Sequence, residues 1–202
     1  MSVVSLQKGQ KIDLTKGNAG LTKLLVGLGW DPVKKSGGFL GGIFGGGGNA
    51  NIDCDASVIM LDQNGKITKE KNLVYFGNQK SQCGSVIHSG DNLTGDGEGD
   101  DEQLNVDLSR VPNDVHKLVF VVNIYDCVSR RQDFGMIGNA YIRVVNASNN
   151  QELCKFNLTE NYSGKTSLIV GELYRYNDEW KFSAIGEGTT DTAISQLVRR
   201  YS

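Results

Sequence analysis

Twelve consecutive residues carry the densest chemistry in the chain: Asp91-Asn92-Leu93-Thr94-Gly95-Asp96-Gly97-Glu98-Gly99-Asp100-Asp101-Glu102, with six of the 23 acidic residues and no Lys or Arg. Carboxylates held about 6 Å apart repel by roughly 0.7 kcal/mol per pair even at the dielectric of water, and by more when partly buried. No basic run elsewhere in the sequence offers a counterpart, so a bound cation is the simplest way to hold them together. The donors are carboxylates, an Asn amide, a Thr hydroxyl and glycine-exposed carbonyls. These hard oxygens suit calcium or magnesium rather than zinc or copper. Glycines at 95, 97 and 99 let alternate side chains and carbonyls converge. A flexible, oxygen-rich loop favours calcium, which accepts irregular coordination, over the strict octahedron of magnesium. The loop is not an EF-hand: counted from Asp91, Leu93 and Asp96 stand where that motif needs a ligand and a glycine.

A second acidic pair, Asp53-Cys54-Asp55, opens an apolar run, Ser57-Val58-Ile59-Met60-Leu61. On an extended backbone residues i and i+2 share a face, so Asp53 and Asp55 can aim at one ion. With the loop they make eight carboxylates, enough charge for two calcium ions. Bland alternatives stand beside these readings: a solvated acidic turn, and aspartates that merely end a strand. The catalytic alternative is a metal-dependent phosphoester hydrolase in which His88, three residues before the loop, acts as general base on ions held by the acids. A histidine beside such a loop is more often a structural hydrogen-bonder. Gly-x-Ser-x-Gly is absent, and the four cysteines, 54, 83, 127 and 154, form no Cys-x-x-Cys pair. They read as free thiols, mostly small core residues.

The elements that must position these groups are mostly strands. Short runs rich in Val, Ile, Tyr and Phe are bounded by turn residues. Leu118 to Ile124 is almost continuously apolar, the pattern of a strand covered on both faces. Tyr141 to Val145 alternates and predicts one wet face. Leu168 to Tyr176 and Glu179 to Ile185 flank Asn177-Asp178, a two-residue hairpin loop with type I′ chemistry. Asp62 to Gly65 is another turn, and a short helix or turn follows Asp126. Ile194, Leu197, Val198 and Tyr201 form one stripe of a C-terminal amphipathic helix, with Asp191 as its expected cap. The expected fold is all-β: a two-layer β-sandwich with few short helices, one domain over residues 1–202. Residues 34–49 stand apart. Eight glycines fall among the twelve residues from Gly37, which predicts a mobile insertion carrying Phe39, Leu40, Ile43 and Phe44.

Charge and composition narrow the function further. A net charge of −2 gives no bulk attraction to nucleic acid, so no direct nucleic-acid binding is expected. No run approaches the length of a membrane span, and the start lacks a signal-peptide pattern. The expectation is a cytoplasmic protein that is not integral to a membrane.

Taken together, the motifs resemble the TerD-type tellurium-resistance and general stress proteins of bacteria. The resemblance rests on Val26-Gly27-Leu28-Gly29-Trp30-Asp31, Asp53-Cys54-Asp55-Ala56-Ser57, Gly84-Ser85-Val86 and the run from His88 to Glu102. It continues through Asn139-Ala140-Tyr141-Ile142-Arg143, Gly171-Glu172-Leu173-Tyr174-Arg175 and Glu179-Trp180-Lys181-Phe182. It implies a non-enzymatic, calcium-binding β-sandwich active in resistance to tellurite and other stresses, as a scaffold or sensor. Its ligands would be Asp53, Asp55, Asp91, Asn92, Asp96, Glu98, Asp100, Asp101 and Glu102. Partners would be a TerC-type membrane protein or other stress proteins of the same family. The glycine-rich stretch and Cys54 between the aspartates depart from the family pattern.

Overall fold

The computed structural model describes residues 3–32, 52–89 and 99–202. Among them, β-branched and aromatic residues set between turns build twelve strands. These are β1 (Val4–Leu6), β2 (Lys11–Asp13), β3 (Lys23–Pro32), β4 (Cys54–Leu61), β5 (Leu73–Val74) and β6 (Val86–His88), then β7 (Glu102–Asp107), β8 (Lys117–Ile124), β9 (Ile137–Asn146), β10 (Gln151–Asn157), β11 (Ser167–Tyr176) and β12 (Glu179–Thr189). They form two six-stranded sheets, ordered β1-β10-β9-β3-β7-β6 and β2-β12-β11-β8-β4-β5. Every pairing is antiparallel except that of β1 with β10. This is the expected sandwich.

Alternation along the strands places the core. Leu24, Val26, Leu28 and Trp30 of β3 meet Leu118, Phe120, Val122 and Ile124 of β8 in one buried cluster between the sheets. The other side of the second sheet is apolar too. Ile59, Leu61, Val119, Val121 and Ile169 lie beneath Leu197 of α2 (Ile194–Arg199), with Ile194, Val198 and Tyr201 packed around them. The unbroken apolar run of β8 is therefore explained: one parity faces the first sheet, the other faces the terminal helix.

Turn chemistry follows the sequence. Asn177 and Asp178 have φ of 48° and 63°, the two left-handed positions of a type I′ turn. Asp62 Oδ1 accepts from the Asn64 and Lys66 backbone amides. α1 (Cys127–Arg130) follows Asp126. One expectation fails: Asp191 does not cap α2. The cap position is Ala193, without a side-chain bond, because Asp191 Oδ2 is taken by Arg200 Nε at 2.7 Å. The expected insertion at 34–49 lies outside the described residues.

Candidate metal centre

The strand register brings the start of β4, the start of β7 and the end of β8 to one end of the sandwich. Cys54 pairs with Ile124 and Asp55 with Asn123 across β4 and β8. Along β4, Cys54, Ala56, Val58 and Met60 point into the core. Asp53, Asp55 and Ser57 therefore share the opposite face, continuing the row of Ile59 and Leu61. Asp55 is 5 % exposed. Asn123 Nδ2 lies 3.5 Å from Asp55 Oδ2. Arg130 Nη1 approaches Asp53 Oδ2 at 3.8 Å, and the Asp53 carbonyl accepts from the Tyr125 amide.

Glu102 reaches the same end from the first sheet. Its side chain is fully buried, and Oε2 accepts from the Ala56 backbone N–H at 2.5 Å. His88, also buried, lies 3.1 Å through Nε2 from the Ala56 carbonyl and 3.4 Å from Glu102 Oε2. A carbonyl only accepts, so Nε2 carries the proton in that bond. Beyond β5, which pairs only with Val58 and Ile59, two side chains of the opposite sheet thus satisfy the edge of β4. Asp101 anchors the loop to β3: its N–H donates to the Leu28 carbonyl, and Oδ2 accepts from the Trp30 N–H at 2.7 Å. That bond falls where the register of β3 with β9 shifts between Gly29 and Asp31.

The Cys54 thiol lies at this end of β4, in the core. Burial pushes it well up, and the Asp55, Glu102, Asp53 and Asp101 carboxylates push it further. Asp53 and Asp55 share the outer face of β4, while Asp101 and Glu102 reach the same end of the sandwich from the first sheet, held to the Trp30 and Ala56 amides. Asp100 joins neither pair. Arg143 donates to it from Nε at 2.7 Å and from Nη2 at 2.9 Å, Tyr141 Oη donates at 3.1 Å, and Gln103 Nε2 at 3.2 Å. The carboxylate is fully buried. It occupies the space above Gly27, where a Cβ would sit 2.2 Å from Asp100 Oδ2, while a Cβ at Gly29 would meet the Tyr141 ring at 2.5 Å. For Asp100 the counter-charge is thus a single arginine delivered by the fold, not a basic run. Asp91, Asn92, Asp96 and Glu98 lie outside the described residues. Among the described residues, no three His, Cys, Asp or Glu side chains form a group that could hold a metal ion.

Two neutral oxygens escaped the sequence reading. Asn123 Oδ1 and Ser57 Oγ are buried without a hydrogen-bond partner among the described residues. An orphaned buried acceptor is costly unless something unseen satisfies it, and a hard cation beside Asp55 suits that donor set. Their signal was present, since Asn123 and Ser57 are polar interruptions in apolar strands. The hydrolase alternative finds no support here, because His88 is 3 % exposed and its Nε2 bonds a backbone carbonyl.

An all-β sandwich with carboxylates gathered at one end defines the class. The TerD domain matches residues 1–201, and the chain belongs to the TerD family. It is 65 % identical over 198 residues to the stress response protein SCP2 of Bacillus subtilis (strain 168), covering 98 % of each chain. It is 43 % identical to the tellurium resistance protein TerD of Serratia marcescens, covering 92 % of this chain and 90 % of that one. A crystal structure of a TerD homologue from Streptomyces coelicolor A3(2) superimposes with a TM-score of 0.65 at 19 % identity, over 91 % of this chain and 99 % of the other. Among the described residues no helix is long and apolar enough to cross a membrane.

Proposed function

We propose that this chain is a non-enzymatic, calcium-binding stress-response protein, a scaffold or sensor whose acidic end is ordered by the ion. The names of its relatives, a stress response protein and a tellurium resistance protein, support the physiological part. The observation that carries the calcium reading is the row of Asp53 and Asp55 on one face of β4, with Asn123 beside Asp55 and the orphaned Asn123 Oδ1 and Ser57 Oγ on that same face. In this reading Asp53, Asp55 and Asp101, with Asn123, hold the sandwich side of the site. Asp91, Asn92, Asp96 and Glu98 supply the remaining oxygens, and a second ion shares the loop. Glu102 contributes charge while its Oε2 holds Ala56. Asp100 is assigned to Arg143 instead of to an ion. Residence in the bacterial cytoplasm and docking to a TerC-type membrane protein or another member of the family belong to the same proposal.

Calorimetric titration of chelator-treated protein tests it. Calcium should bind saturably and ahead of magnesium, and Asp55→Asn should weaken calcium about tenfold or more. Equal, weak responses to both ions would reject the reading.

A further inference from the structure

Ile142 and Val144 of β9 point into the core, so Tyr141 and Arg143 point outward, and the register sets Lys155 of β10 beside Arg143. With Trp30, Asp31 and Asn139 these side chains line a cavity of about 990 Å³ on the outer face of the first sheet, roomy enough for a small organic molecule. Its walls are held in place. Tyr141 Oη shares its proton between the Gly99 carbonyl at 2.7 Å and Asp100 Oδ1 at 3.1 Å. Lys155 Nζ lies 3.8 Å from the centre of the Tyr141 ring, which fixes the ammonium without giving it an anion. Asn139 takes a left-handed φ of 51° within β9, and its Nδ2 donates to Asp31 Oδ2 at 2.9 Å. Backbone strain of this kind persists where neighbours impose it and concentrates at ligand sites.

The walls leave hydrogen-bond donors over. Trp30 stands where β3 shifts register against β9, between Gly29 and Asp31, and such a shift re-aims a side chain. Trp30 is 5 % exposed, and its Nε1 is buried with no partner among the described residues. An indole N–H only donates, and a buried one left unpaired is costly. Lys155 has no carboxylate partner among the described residues, whereas Arg143 is paired with Asp100 and Glu152, and Glu160 at the rim with Lys8. The cavity therefore lacks an acceptor that carries negative charge. Asp31 adds the reverse need, a ligand group that donates.

We propose that this cavity binds a small hydroxylated organic anion, of the sugar-phosphate or hydroxy-acid class. The anionic oxygens lie against Lys155, a further ligand oxygen accepts from the Trp30 indole N–H, and ligand hydroxyls donate to Asp31. The site uses none of the side chains assigned to calcium and does not rest on that reading.

The test is calorimetric titration of the folded full chain with ribose 5-phosphate and with gluconate, against ribose and inorganic phosphate as partial ligands. At least one of the two organic anions should bind with a dissociation constant below about 1 mM, and about tenfold or more tighter than either partial ligand; which one binds tells phosphate from carboxylate. Lys155→Met should weaken that binding about tenfold, and Trp30→Phe, which keeps an aromatic ring but not the N–H, should weaken it too. If Trp30→Phe does not fold, Lys155→Met, outside the core, still decides. The proposal is overturned if neither anion binds, if ribose or inorganic phosphate binds as tightly, or if Lys155→Met binds like the wild type.

Discussion

At Gly27 the chain gives up a side chain so that a carboxylate can lie against its backbone. Asp100 is fully buried there, held by two guanidinium bonds from a partly exposed Arg143. Removing one partner of such a pair strands a buried charge, which is worse than removing both. Arg143→Met should therefore lower unfolding free energy by about 2–4 kcal/mol, and adding Asp100→Asn should recover a large part of that loss. Urea denaturation of the single and double variants reads this directly; equal stabilities of Arg143→Met and wild type would remove the pair from the account. The sequence exposed the density of acids but not their division of labour. Asp100 and Asp101 are neighbours, yet one turns to an arginine 43 residues away and the other to the β3 backbone. Nothing local marks that difference. Gly27 and Gly29 were the readable sign, because glycines two apart in an apolar strand clear one face of a sheet for something else to occupy.

Strand β4 shows how an element is completed by side chains. Its paired edge continues into β8, but the Ala56 N–H and C=O on the other edge find Glu102 and His88 instead of a strand. An amide can replace the carboxylate as acceptor, so Glu102→Gln should keep the fold within about 1 kcal/mol of wild type. Glu102→Ala leaves the Ala56 N–H buried and unpaired, and should destabilise by about 1–3 kcal/mol. Circular dichroism melts of both variants separate the two roles: a Glu102→Gln chain as unstable as Glu102→Ala would mean that charge, not the Ala56 bond, holds this edge. Periodicity made β8, the hairpin at Asn177-Asp178 and the α2 stripe legible, because each depends on neighbours within a few residues. The cap of α2 was not, since Asp191 is diverted by Arg200 across the helix. The same limit hid the edge of β4, whose partners come from the opposite sheet.

Across the whole molecule, burial sets the behaviour at high pH. Burial, with Glu160 beside it, pushes Tyr162 up to about 12, and burial, with Glu187 and Glu172 nearby, pushes Tyr201 up to about 12. Cys154, buried and near Glu152, is pushed up to about 12 as well. Each folded group holds its proton to higher pH than the unfolded chain does. Their stabilisation is therefore complete below the ordinary values of 9.0 for Cys and 10.0 for Tyr, and is lost as pH rises toward 12. Urea midpoints should hold steady from these groups up to pH 9 and then fall, with a shallower fall in Tyr201→Phe; a midpoint flat through pH 11 would contradict this. The proposed calcium site adds a linkage: calcium at about 100 times its dissociation constant should add about 2.7 kcal/mol of stability.

The central claim of the proposed function is that Asp53 and Asp55, at the start of β4, hold calcium together with the acidic loop. Its most direct measurement is a calcium titration of chelator-treated protein, followed by calorimetry, on the wild type and on Asp55→Asn. The account predicts saturable binding by the wild type, stronger than for magnesium, and a marked loss of affinity in the variant. A wild type that takes up no calcium, or a variant that binds it equally well, would contradict it.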